Sequence, residues 1–79
     1  MEIRVKLYGA LGKDLREHDP LKGMTVELPE GMRILDLIEQ LGIPRKKVGI
    51  ISVDGRLVKD TRVLGAGNFV RMYRPIFGG

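Results

Sequence analysis

Apolar and polar residues alternate strictly along "EIRVKLYG", residues 2–9. Ile3, Val5 and Leu7 share one side, and Glu2, Arg4, Lys6 and Tyr8 the other. A period of two predicts a strand buried on one face. Residues 9–22, "GALGKDLREHDPLK", are polar with two glycines and a proline. They read as a loop with room for one helical turn around Leu11 to Leu15. "GMTVELPEG", residues 23–31, alternates again through Met24, Val26 and Leu28 and stops at Pro29. It is a second strand, and the short spacing suggests an antiparallel pair with the first.

The period then changes. Ile34, Leu37, Ile38 and Leu41 stand at i, i+3, i+4 and i+7, one face of a helix. Asp36, Glu39 and Gln40 lie on the other side. Gly42 suits the position just past the helix end, and Ile43 can close that end by an apolar contact before Pro44. Arg33 stands where a Ser, Thr or Asp cap is expected, so the N-terminal cap is poor. "KVGIISVDGRLV", residues 47–58, reads as strand, Asp-Gly turn and short strand. Val48, Ile50, Ile51 and Val53 are too apolar for a strand exposed on one side, which predicts a central or covered position. Residues 59–68 form a loop with Leu64 as its core anchor. "FVRMYRP" closes the chain as a strand, with Val70 and Met72 on one face and Phe69, Arg71 and Tyr73 on the other.

The order β-β-α-β-β-β has one helix. A single helix packed on one face of a mixed sheet buries these stripes economically. The connection through the helix is long enough for a right-handed crossover. The last strand can then lie parallel to the first in mid-sheet. The pattern supports an α+β architecture of the ubiquitin-like β-grasp class, its exact strand order being what the resemblance given below implies, with residues 1–79 as a single domain and residues 74–79 as a flexible tail.

The bulk chemistry narrows the function more than the fold. The chain has 79 residues and 43% hydrophobic content, enough for one small core. No apolar run approaches the roughly 20 residues of a membrane helix, and a soluble, cytoplasmic protein is expected. There is no cysteine, which removes disulfides, thiolate metal sites and a cysteine nucleophile. His18 is the one histidine and Ser52 the one serine, so neither a metal site nor a serine triad is expected. The net charge of +4 favours acidic partners or nucleic acid. Its densest run, Arg45-Lys46-Lys47, is too short for a nucleic-acid arm.

The chain resembles the ubiquitin-like sulfur carriers, the MoaD/ThiS-like proteins. These include the small subunit of molybdopterin synthase and the thiamine-thiazole sulfur carrier. The resemblance is carried by "IRVKLYGAL", by "LPEGM" before "ILDLIEQLGI", by "VGIISVDGRLV", and by "LGAGNFVRMYRPIFGG" with its terminal Gly-Gly. Asn68 stands where the family usually has Asp, Arg33 where it has a capping Thr, and Arg74 where many molybdopterin-type members have a first proline. The resemblance implies a carrier, or a non-catalytic small subunit of molybdopterin synthase. It would bind no cofactor itself, the ATP being used by a partner activating enzyme. That enzyme would adenylate the carboxylate of Gly79, and sulfur would then replace AMP to give a thiocarboxylate. The sulfur would go to molybdenum or tungsten pterin synthesis. Alternatives are the thiamine-thiazole route and a ubiquitin-like modifier conjugated through Gly79.

The tail's composition suits that chemistry. Gly78 and Gly79 admit the close approach that a narrow catalytic channel requires. Pro75 restricts the start of the tail, and Ile76 and Phe77 are apolar anchors for a partner groove. Arg4, Lys6, Tyr8, Arg71 and Tyr73 should share one basic, aromatic sheet face if the first and last strands pair. With Arg74 they are the expected contacts for the activating enzyme, the molybdopterin synthase large subunit or the thiazole synthase. Single-stranded nucleic acid stacked on the aromatics and a merely solvated face are the other readings of that patch.

Overall fold

The computed structural model describes residues 1–75. Alternating residues build a sheet of β1 (Glu2–Leu7), β2 (Met24–Glu27), β3 (Ile51–Val53), β4 (Arg56–Leu57) and β5 (Phe69–Met72). The 3.6-residue stripe builds α1 (Ile34–Leu41), and two 3-10 turns lie at Gly9–Gly12 and Arg45–Lys47. The strand order is β2-β1-β5-β3-β4. β1 pairs antiparallel with β2 and parallel with β5, and β3 lies antiparallel to β5 and to β4. This is the ubiquitin-like β-grasp, with first and last strands paired at its centre.

The core follows the two stripes. Ile3, Val5 and Val70 from the sheet and Ile34 and Leu37 from α1 are fully buried in one cluster. Each such aliphatic side chain contributes roughly 1.5–3 kcal/mol relative to exposure. Leu64 is buried in the same cluster and anchors the loop before β5.

Both ends of α1 repay inspection. At its C-terminus Gly42 adopts φ 74°. Its N–H bonds the Glu39 carbonyl at 3.0 Å, and the Ile43 N–H bonds the Ile38 carbonyl at 3.2 Å. These are the two hydrogen bonds of a Schellman motif. At its N-terminus Arg33 offers no side-chain acceptor, as its chemistry requires. The free amides are satisfied from elsewhere. Asp36 Oδ2 accepts the Arg33 N–H at 2.9 Å. The Arg62 and Asp60 carbonyls accept the Ile34 and Leu35 N–H groups, each at 3.0 Å. The cap that the local sequence lacks is supplied by the loop 59–63.

The expectation for residues 48–53 needs one correction. Val48, Ile51 and Val53 are buried, but Ile50 is 47% exposed. Ile51 lies opposite Met72 and Ser52 opposite Arg71, so the outer face takes Ser52 and its i−2 neighbour Ile50. An apolar run cannot send every member inward on a strand. Among the described residues no helix is long and apolar enough to cross a membrane.

Candidate functional site

The parallel register of β1 and β5 sets Arg4 beside Phe69 and Lys6 beside Arg71. These residues lie on the face opposite the core. The Arg4 and Arg71 guanidinium carbons lie 4.7 and 4.2 Å from the Phe69 ring centroid, within cation–π range. Lys6 Nζ lies 5.0 Å from the Tyr8 ring. Just beyond the strand ends Tyr8 stacks on Tyr73, with centroids 4.4 Å apart and planes 15° off parallel. The backbone brings them together: the Tyr8 N–H bonds the Met72 carbonyl at 3.0 Å, and the Tyr73 N–H the Ile50 carbonyl at 2.9 Å.

The face is therefore a row of rings roofed by cations. Desolvation holds the Tyr73 phenol above its usual value, and the adjacent Tyr8 adds to this against the opposing charge of Arg71. Tyr73 thus stays neutral, and the charge of this cluster comes from Arg4, Lys6 and Arg71. A nucleic-acid base would have to displace a cation or a partner ring to stack on Phe69 or Tyr8. An acidic protein surface can meet the same cations without disturbing the rings. Leu57, 74% exposed, extends the face: it pairs with Ser52, which pairs with Arg71. With Ile50 it gives the cationic patch an apolar flank. Leu57 was not assigned there from sequence because β4 is too short to show a period, and Ile50 because its apolar run was expected to be covered.

The root of the tail is fixed to the body. The Gly49 N–H bonds the Tyr73 carbonyl at 2.6 Å. A Cβ at Gly49 would sit 2.7 Å from Pro75 Cα and 2.8 Å from the Arg74 carbonyl oxygen, so only glycine allows this approach. The Arg74 side chain passes over Gly9, where an added Cβ would meet Cδ at 3.0 Å. Arg74 and Pro75 thus pack against the segments after the first strand and before the third. Ile76, Phe77, Gly78 and Gly79 lie outside the described residues.

Two polar residues hold the segments around this site. His18 Nε2 accepts the Leu7 N–H at 2.9 Å, taking over where the β1–β2 ladder stops. A lone histidine in a polar loop carried no sequence signal for this. Asn68 Oδ1 accepts the Gly65 N–H at 2.6 Å, and its Nδ2 donates to Asp54 Oδ2 at 2.7 Å. The same Asp54 accepts the Phe69 N–H at 2.9 Å. An aspartate at 68 would set two carboxylates against each other. Asn68 instead ties the β3–β4 turn to the start of β5.

Comparison with known proteins agrees with this architecture. The sequence model of the family described as Mut7-C ubiquitin matches residues 1–78. No curated protein matches the chain in sequence. Among solved structures, a Pyrococcus furiosus protein described as molybdopterin converting factor, subunit 1, is 26% identical. The match has a TM-score of 0.70 and covers 95% of this chain and 98% of that one. SAMP1 from Haloferax volcanii is 14% identical with a TM-score of 0.70, each chain being covered to 100%. A second structure, of H. volcanii small archaeal modifier protein 1, is 12% identical with a TM-score of 0.70, covering 95% of this chain and 98% of that one. The two Haloferax matches speak to the fold alone. From the β-grasp topology, the family match over residues 1–78 and the Pyrococcus likeness, the chain belongs to the Mut7-C ubiquitin family, within the MoaD/ThiS-like, ubiquitin-related proteins.

Proposed function

We propose that this protein is a sulfur carrier whose working group is the carboxylate of Gly79. An ATP-dependent activating enzyme presents the α-phosphorus of ATP to a Gly79 carboxylate oxygen. Pyrophosphate leaves and an acyl-adenylate forms. A sulfur nucleophile at the oxidation level of hydrosulfide then attacks the carbonyl carbon. AMP departs with the oxygen that joined phosphorus, and a thiocarboxylate remains. A downstream enzyme consumes this sulfur, with molybdenum or tungsten pterin synthesis as the favoured destination.

The observation that carries the reading is the tail root. The central pairing of β5 with β1 delivers Arg74 and Pro75 to one end of the sheet, locked against Gly49. The following Ile-Phe-Gly-Gly starts from a fixed point beside the cationic face. Such positioning matters, since a misplacement of about 1 Å can cost on the order of 100-fold in rate. The Pyrococcus likeness supports the pterin route. Arg4, Lys6, Arg71 and Tyr73 would steer and seat the activating enzyme or the pterin synthase large subunit. Ile76 and Phe77 would line the channel that takes the tail.

The test is the intact mass of the protein after incubation with an activating enzyme, ATP and a sulfur donor. Exchange of one oxygen for sulfur is expected, and it should vanish when Gly79 is deleted. If neither an adenylate nor a thiocarboxylate accumulates, the proposal fails. A Gly-Gly end also serves conjugation to lysines. Higher-mass adducts in cells that disappear with Gly79 would reveal that role.

A further inference from the structure

The densest basic run, Arg45-Lys46-Lys47, has no part in the sheet face, and the fold divides it. Arg45 turns to Asp60: its Nε donates to Oδ2 at 2.8 Å, and its Nη1 to the Val48 carbonyl at 2.8 Å. This clamps the 3-10 turn and leaves Lys46 and Lys47 exposed. Both lysines line a groove of about 610 Å³ at the end of the molecule where α1 stops. Lys13 and Arg74 line it too, with Asp14 the one acid. The ion pairs among the described residues, Met1 with Glu27 and Arg45 with Asp60, engage none of these four cations. The nearby carbonyls of Ile38 and Glu39 are taken by the Ile43 and Gly42 N–H groups, so the cations set the sign of the rim. Leu11, Leu15, Leu41 and Ile43 supply the apolar lining. Leu15, Leu41 and Ile43 are only half-buried, so their apolar surface is accessible. None of this lining belongs to the Arg4–Phe69–Arg71 face.

We propose that this groove docks a partner protein through an acidic segment carrying large apolar side chains. Charge complementarity decides the occupant: four cations face one acid around an apolar lining. The volume falls within the roughly 300–1,000 Å³ of sites that bury apolar groups, so more than one large side chain fits. Their burial supplies the affinity. Acidic residues beside them meet the lysines at the rim, where both charges stay hydrated and the cost of burying an ion pair is avoided. The rim then sets approach and selectivity. A nucleic acid fits less well, because the lining holds no aromatic ring on which a base could stack. Arg74 and Pro75 belong to the lining and pack at Gly9 and Gly49. A partner seated here therefore grips the tail root and leaves the sheet face open. The docking does not depend on the chemistry proposed for Gly79.

Methyl and amide NMR of the full chain, titrated with the peptide Glu-Asp-Leu-Glu-Glu-Leu-Phe-Glu-Asp, tests this directly. The Leu15, Leu41 and Ile43 methyl signals should shift and saturate. Replacing every acid of the peptide by its amide should weaken binding roughly tenfold at low salt, a gap that narrows as salt screens the charges. The double variant Lys46→Glu/Lys47→Glu, at two exposed sites, should reproduce that loss with the amide spectrum of the fold retained. Leu15→Ala should weaken the acidic peptide several-fold by removing apolar contact. The proposal is overturned if no saturable shift appears below millimolar peptide, or if the shifts are confined to Arg4, Phe69 and Arg71. It is equally overturned if an oligothymidylate strand moves the groove methyls as strongly, the occupant then being a nucleic acid. Groove shifts that follow protein concentration alone would overturn it in favour of a second copy. No activating enzyme enters the titration, so failure to form a Gly79 adenylate would sink the carrier reading and leave the docking intact.

Discussion

On β1 and β5, neighbouring residues have opposite fates. Ile3, Val5, Leu7, Val70 and Met72 point inward and are at most 3% exposed. Arg4, Lys6, Phe69 and Arg71 alternate with them on the outer face, where cations lie over Phe69. The inner set contributes burial, which is non-directional and large. The outer set contributes charge and ring geometry, worth little to stability but much to the choice and approach of a partner. Because the two sets occupy the same strands one residue apart, folding and recognition should respond to different substitutions.

The sharpest break of that contrast is Ile3→Ala. It removes a fully buried side chain and should cost about 2–5 kcal/mol, read by denaturant unfolding. A loss below about 1 kcal/mol would mean that the inner face is not the source of stability. Next comes the point where alternation ends. His18→Ala leaves the Leu7 N–H without its acceptor and should cost about 1–3 kcal/mol. Amide exchange at Leu7 should quicken selectively, and unchanged exchange would refute the assignment.

The outer face should show the reverse profile. Arg71→Ala removes a cation from Phe69 and should change stability by no more than about 1 kcal/mol. If the proposed carrier role holds, the KM of an activating enzyme for this protein should rise roughly tenfold at low salt, with kcat held, because the charge acts on encounter. A fall in kcat at unchanged KM would place Arg71 in the chemistry instead.

The smallest effect lies in the β1–β2 loop. Asp19 Oδ1 accepts the Leu21 and Lys22 N–H groups at 2.7 and 2.9 Å. The Lys22 bond first, then that from Leu21, holds its carboxyl below the ordinary value of 3.8. A carboxyl depressed in the folded state stabilises above its unfolded pKa, and that contribution is lost as pH falls through the folded one. The stability gap between wild type and Asp19→Ala should therefore be constant near neutrality and shrink below about pH 4. A gap that widens in acid would reverse the sign.

The sequence by itself determined the main elements and most of the inward set. The alternation of residues 2–9 and the i, i+3, i+4, i+7 stripe from Ile34 to Leu41 fix which side chains leave water, because each period belongs to one backbone geometry. Gly42 and Ile43 likewise announced the helix end, since its hydrogen bonds are local. The members of the outer patch could also be named, although only the parallel register sets Arg4 and Arg71 over one ring. What only the tertiary structure decided depends on segments far apart in the chain. The α1 cap comes from the carbonyls of Asp60 and Arg62, the β1 end from His18, and the tail root from Gly49. Ile50 was misplaced for the same reason: hydrophobicity says that a residue prefers burial, but the ladder with β5 decides which side it occupies. Long-range hydrogen bonds and close approaches leave no periodic trace, because their partners are chosen by the packed sheet and not by neighbours in sequence.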